Sequence, residues 1–105
     1  MTRTLDLHPE ALAEAEAAAQ YYAARNIKAS VAFSDALLAA IREIESAPHI
    51  FPAHVNETRR LLLRTFPFSV VYIFDEQRIF IIAVAHGSRR PGYWISRLTT
   101  KFGPG

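Results

Sequence analysis

The sequence predicts an α+β domain in which a twisted antiparallel sheet carries two helices on one face. Three observations lead there. Apolar residues recur with helical spacing across two consecutive stretches between residues 9 and 47. Three short alternating or apolar runs follow between residues 59 and 86, with tight connections. One further alternating stretch, Thr4-Leu5-Asp6-Leu7, precedes the helices. Helices grouped before a meander of strands specify an α+β layer arrangement.

Taken in order, Thr4–Leu7 forms a short strand with one buried face. Pro9 suits a first helical position, and Glu10 suits the positive end of the helix dipole. Leu12, Ala15, Ala19 and Tyr22 make the inward stripe, with Glu14 and Glu16 off that face. The helix is rich in alanine, so a neighbour can approach closely. Tyr21, Tyr22 and Arg25 bring it to an end, and Asn26 is its stop. A second helix spans Ile27 to Ala47, with Phe33, Leu37, Ala40, Ile41 and Ile44 as its stripe, until Pro48 ends it. The short connection makes the pair an antiparallel hairpin.

Residues 48–58 read as a loop, by Pro48, Pro52 and a polar end. His49 and His54 lie in it without a carboxylate or cysteine cluster, so no metal is expected. Arg59 to Phe66 alternates as a strand, placing Arg60, Leu62, Arg64 and Phe66 on one face. Pro67 marks a turn or bulge. Phe68 to Phe74 is the next strand, and Asp75-Glu76-Gln77-Arg78 a tight connection. Ile79 to His86 is apolar on both faces, which requires a central or covered strand. The first strand joins this meander after the helical hairpin crosses it.

Length and composition narrow the classes. With 105 residues, 1–105 form one domain. The absence of cysteine excludes a disulfide framework and thiolate metal sites. No apolar run approaches the roughly 20 residues of a membrane span. The N-terminus lacks an apolar signal core, so a cytoplasmic protein without membrane association is expected. The net charge of +2 conceals an asymmetry. Residues 1–58 hold four cations against eight acids, and residues 59–105 hold eight cations against two acids. Seven of those eight cations are arginine, whose planar fork suits phosphates, carboxylates and aromatic rings. A basic half implies an anionic target, or an acidic helical layer lying over a basic sheet.

The richest stretch is Val84 to Leu98. An apolar strand gives way to His86, Arg89, Arg90, Tyr93, Trp94 and Arg97, punctuated by Gly87, Pro91 and Gly92. Cations and flat rings at one sheet edge suit a phosphate backbone, an unstacked base or an acidic partner. Structural roles compete with this reading. Trp94 fits a plug packed on the sheet, His86 a residue ordering the next turn, and Arg60 and Arg64 partners for helix acids.

Several residues together resemble the RelE/ParE superfamily of bacterial toxins. They are Pro9 with the alanine-rich helix and Tyr21-Tyr22, Phe33 with Ile41 and Ile44, Pro48 and Pro52, and Arg59-Arg60. Phe66-Pro67-Phe68, Tyr72, His86, Arg89, Pro91, Tyr93-Trp94 and Arg97 complete the pattern, which covers nearly the whole chain. The resemblance implies the toxic half of a type II toxin–antitoxin pair, neutralised by a cognate antitoxin that wraps it and carries a DNA-binding part. RelE-like members cleave mRNA in the ribosomal A site without a metal, whereas ParE-like members poison DNA gyrase.

A nuclease of this kind needs a base, an acid and cations around the crowded phosphate. Arg60, Arg64 and Arg89 are the candidate phosphate clamp, with His86 or Tyr93 moving the proton. Target or nucleic-acid contacts are expected from Arg59, Arg60, Arg64, Arg89, Arg90, Trp94 and Arg97. No metal or cofactor enters. Two departures weigh against cleavage. The strand Phe68 to Phe74 carries no cation, and the Tyr93-Trp94 ending resembles the plasmid-stabilisation, ParE-type branch. A ParE-like gyrase inhibitor is therefore favoured. A ribosome-dependent endoribonuclease is the alternative, and an inactive homologue kept for antitoxin binding and operon regulation is a third reading.

Overall fold

The computed structural model describes residues 2–99. Its elements are β1 (Thr4–Leu7), α1 (Pro9–Ala23), α2 (Ile27–Ser46), β2 (Arg59–Leu62), β3 (Phe68–Phe74) and β4 (Arg78–His86). The sheet order is β1-β4-β3-β2. β2, β3 and β4 form the expected antiparallel meander, and β1 lies parallel to β4 with Leu7 opposite Ile81. β4 is thus interior, which is why it is apolar on both sides.

The helix boundaries follow from local chemistry. The His8 Nδ1 accepts the Glu10 N–H at 3.0 Å, capping α1 ahead of Pro9. Asn26 has two functions. Its N–H donates to the Tyr22 carbonyl and closes α1, while its side chain accepts the Lys28 N–H at 2.8 Å and caps α2. The sequence reading recognised only the first.

Two expectations fail in detail. On α1, Ala15, Ala19 and Tyr22 pack against the core as anticipated, but Leu12 does not. Ala11 and Ala18 are buried, Leu12 is 49% exposed, and Glu14 lies on the half-buried edge rather than away from it. Small side chains let α1 settle closely on the sheet, so alanines outcompete leucine for the contact. The strand expected from Arg59 to Phe66 ends at Leu62. Thr65 takes φ +63° in the bend before Phe68, and the Leu63 N–H donates to the Phe68 carbonyl. Alternation therefore stops, and Arg64 no longer shares a face with Arg60.

A register shift sets the faces of β4. Val71 pairs with Ala83, but Tyr72 pairs with Ile81, so Ile82 is an extra residue in a bulge. Ile79, Ile81 and Val84 face the helices with Phe33, Ile44, Val70 and Tyr72. Phe80, Ile82 and Ala83 face the other side with Val71, where Trp94 covers them. The buried Tyr72 hydroxyl donates to the Pro48 carbonyl at 2.6 Å, anchoring the loop after α2. Burial, offset in part by the Arg59 cation, raises the Tyr72 phenol to about 12.

Candidate functional site

The site is built where β4 outruns its neighbour. β1 stops opposite Ile81, and the His8 N–H takes the Ile81 carbonyl before the chain turns into α1. Further along, side chains supply what a longer β1 would have supplied. The Val84 N–H donates to Glu14 Oε1 at 3.0 Å, and the Ile82 carbonyl accepts from Arg97 Nη1 at 3.1 Å. Buried backbone groups need such partners.

Glu14 and Arg97 also hold each other. Arg97 Nη1 and Nη2 donate to Glu14 Oε1 and Oε2 at 3.0 and 2.9 Å, a two-pronged pair. The Tyr93 hydroxyl donates to Glu14 Oε2 at 2.6 Å, and Glu10 stands at 3.5 Å from Arg97 on the exposed rim. Burial by itself would raise the Glu14 carboxyl, but donors from Arg97, Tyr93 and the Val84 N–H bring it below the usual carboxylate value. Burial and the Glu14 carboxylate both push the Tyr93 phenol far upward. Burial would lower Arg97, but Glu14 more than reverses this, so its guanidinium stays charged.

The segment reaches this network through a turn. The His86 Nδ1 accepts the Ser88 N–H at 2.9 Å, and its carbonyl accepts the Arg89 N–H. Its ring meets Phe68 edge-on at 5.0 Å. Gly92 adopts φ +84°, and a side chain there would strike Ile95. That reversal brings Tyr93 to Glu14 and drops Trp94, 1% exposed, onto the sheet.

The sequence-nominated residues therefore separate into groups. Arg60, Arg89 and Arg90 gather with His54 and His86 around a shallow depression on the sheet face opposite the helices. Burial, and then the Arg60 cation, lowers the His54 imidazole. Arg89 stacks on the Tyr93 ring at 3.8 Å. Arg64 lies elsewhere, beside Ala36, Ala39 and Glu43 of α2. Arg59 Nη1 donates to the Phe51 carbonyl at 2.7 Å, and its guanidinium lies over Phe74. Arg97 and Trp94 are inside the fold, so neither presents its polar or aromatic surface to a target. The Tyr93 hydroxyl donates its hydrogen bond to Glu14, and its raised phenol makes it a poor proton donor.

Glu14 is the residue that sequence reasoning missed. Its signal was its position three after Ala11 and four before Ala18, on the small-residue face. Among the described residues no group of three or more His, Cys, Asp or Glu could hold a metal ion. No helix among them is long and apolar enough to cross a membrane.

The arrangement of helical hairpin, four-stranded sheet and tucked C-terminal segment is shared with a known fold. A solved structure titled "Chromosomal ParDE TA system from P. aeruginosa" superposes with a TM-score of 0.71, covering 81% of this chain and 96% of that one at 16% identity. That identity supports the fold alone. The family model described as ParE toxin of type II toxin-antitoxin system, parDE, matches residues 5–91. The chain belongs to this ParE toxin family. No curated protein matches it.

Proposed function

We propose that this ParE-family protein stops growth by inhibiting DNA gyrase and is neutralised in the cytoplasm by a cognate antitoxin, in the manner of a plasmid-stabilisation pair. The observation that carries the choice of target is the Glu14 network. It engages the Tyr93 hydroxyl and draws Arg97 into the fold, while Arg64 sits on another face. Of the groups that phosphodiester cleavage would recruit, His86, Arg60 and Arg89 share one depression with Tyr93, whose hydroxyl is already committed to Glu14. A base that also holds the next turn, flanked by arginines and without a second proton donor, suits binding better than acid–base chemistry.

The surviving cluster of Arg60, Arg89 and Arg90 supports an anionic contact on the target, whether protein or nucleic acid. Purified protein added to DNA gyrase should suppress supercoiling or trap cleaved DNA. Codon-phased mRNA breaks after induction, mapped by primer extension, would instead favour the ribosome-dependent nuclease. Induction without antitoxin that leaves growth unchanged would favour an inactive homologue serving as a regulatory module.

A further inference from the structure

α2 carries two apolar stripes. One, with Phe33, Ala40 and Ile44, is buried against the sheet. The other faces solvent. Ile27, Val31 and Leu38 are 68%, 56% and 47% exposed, although each is a large aliphatic residue. Their separations of four and seven residues set them along one line of the helix. Beside that line a furrow of about 360 Å³ runs between α2 and α1, walled by Ala15, Ala19, Leu37, Leu38 and Ile41. Charge on this face is sparse and ordered. Asp35 stands three residues before Leu38 and Arg42 four after it, so both flank that leucine, and both are exposed. About 10 Å of helix separates the two charges. Among the described residues neither has an ion-pair or hydrogen-bond partner.

We infer that this face is a homodimer interface, in which two copies of the chain pack α2 against α2, antiparallel, about a two-fold axis beside Leu38. A two-fold contact must be self-complementary, because each residue meets the same partner in both directions. With the axis between residues 38 and 39, position 35 lies level with position 42 of the other copy. Leu38 then meets its own counterpart at the centre, and an Asp35–Arg42 pair forms on either side of it. Glu45, further along the stripe, falls within one turn of the other copy's Lys28. The apolar line is covered and its charges are matched in one step. A parallel arrangement would set Asp35 against Asp35 and Arg42 against Arg42. The order of the signs therefore selects the antiparallel one, which also opposes the two helix dipoles. This mirrored charge is what favours a second copy over a foreign partner. The depression with Arg60, Arg89 and Arg90 lies on the sheet face opposite the helices, so both copies keep it open. The dimer would present two such clusters on its outer sides, and a target with two sites would be held more tightly through avidity. The inference depends neither on gyrase as target nor on an antitoxin.

Sedimentation velocity on the full chain, purified free of antitoxin, tests this. The parent should show twice the 11.8 kDa chain mass and fall to the monomer on dilution. Leu38→Glu should stay monomeric throughout. Asp35→Arg and Arg42→Asp should each weaken association at least about tenfold, since each sets like charges opposite one another twice. Mixed in equal amounts, those two variants should associate again, because each supplies the sign the other lacks. The double variant Asp35→Arg with Arg42→Asp should also recover, which a parallel pair would not. Circular dichroism and a thermal melt establish that each variant is folded. The two charge variants, both at exposed positions, carry the test if Leu38→Glu is not. A parent that remains monomeric at about 0.1 mM overturns the inference. So does a dimer indifferent to Leu38→Glu, or a pair of charge variants that fails to rescue on mixing. If the parent is monomeric and Leu38→Glu instead impairs binding of the antitoxin or of gyrase, the face belongs to that partner and the inference falls.

Discussion

Arg97 and Arg89 lie eight residues apart on one short segment, yet they occupy opposite environments. Arg97 is 7% exposed and meets two oxygens of Glu14 and the Ile82 carbonyl. Arg89 is exposed, with its guanidinium against the face of Tyr93. The difference teaches that an arginine's residue type does not announce its role. What decides is whether acceptors already fixed by the fold lie within reach. Glu14 is fixed by α1, and the Ile82 carbonyl is left over where β1 ends, so the segment supplies one guanidinium to join them. Among the described residues Arg89 has no carboxylate within ion-pair reach, and it stays at the surface.

The comparison can be broken most sharply by truncation. Arg97→Ala leaves Glu14 half-buried without its cation and should cost about 3–5 kcal/mol in urea unfolding. Arg89→Ala should stay within about 0.5 kcal/mol. Equal losses would erase the distinction. Tyr72→Phe offers a neutral reference, since it strands the buried Pro48 carbonyl and should cost about 1–2 kcal/mol. If that loss matched the Arg97→Ala loss, charge would have no special part in the network.

Acid sharpens the contrast further. The folded Glu14 carboxyl titrates below its ordinary value of 4.5, so its stabilisation is present above that value and lost as pH falls through the folded one. The gap in melting temperature between the parent and Glu14→Gln should shrink from about pH 5 to about pH 3. Asp75 shifts the same way, held down by the Gln77 and Arg78 N–H groups, so the difference between the two proteins is the informative quantity. A gap constant across that range would contradict the assignment. The smallest effect on folding should come from salt, because the exposed arginines are screened over about 10 Å at 0.1 M. Their effect should appear instead in complexes, as antitoxin affinity that falls with ionic strength and falls less in Arg89→Ala.

Much of the fold was legible because periodicity reports burial. β3 alternates faces as expected, Pro9 and Pro48 bound the hairpin, and β4 is apolar on both sides because both sides are covered. What was not legible depended on events between distant segments. Nothing in Arg59 to Phe66 signals that Thr65 leaves the strand, and this moved Arg64 away from Arg60. The Ile82 bulge is equally silent in sequence, since isoleucine suits either face. The site was legible only in part. His86, Arg60, Arg89 and Arg90 do gather at the end of β4, whereas the fate of Arg97, Tyr93 and Trp94 depended on a carboxylate about eighty residues earlier.

That separation has a consequence for synthesis. Glu14 leaves the ribosome 83 positions before Arg97, and β1 likewise waits for β4. A nascent chain that has not yet released Arg97 holds an uncompensated carboxylate on its first helix and an open sheet face where Trp94 will land. The network is consequently completed only once Arg97 has emerged, and products stalled or truncated before it should be left soft, sticky and open to proteases.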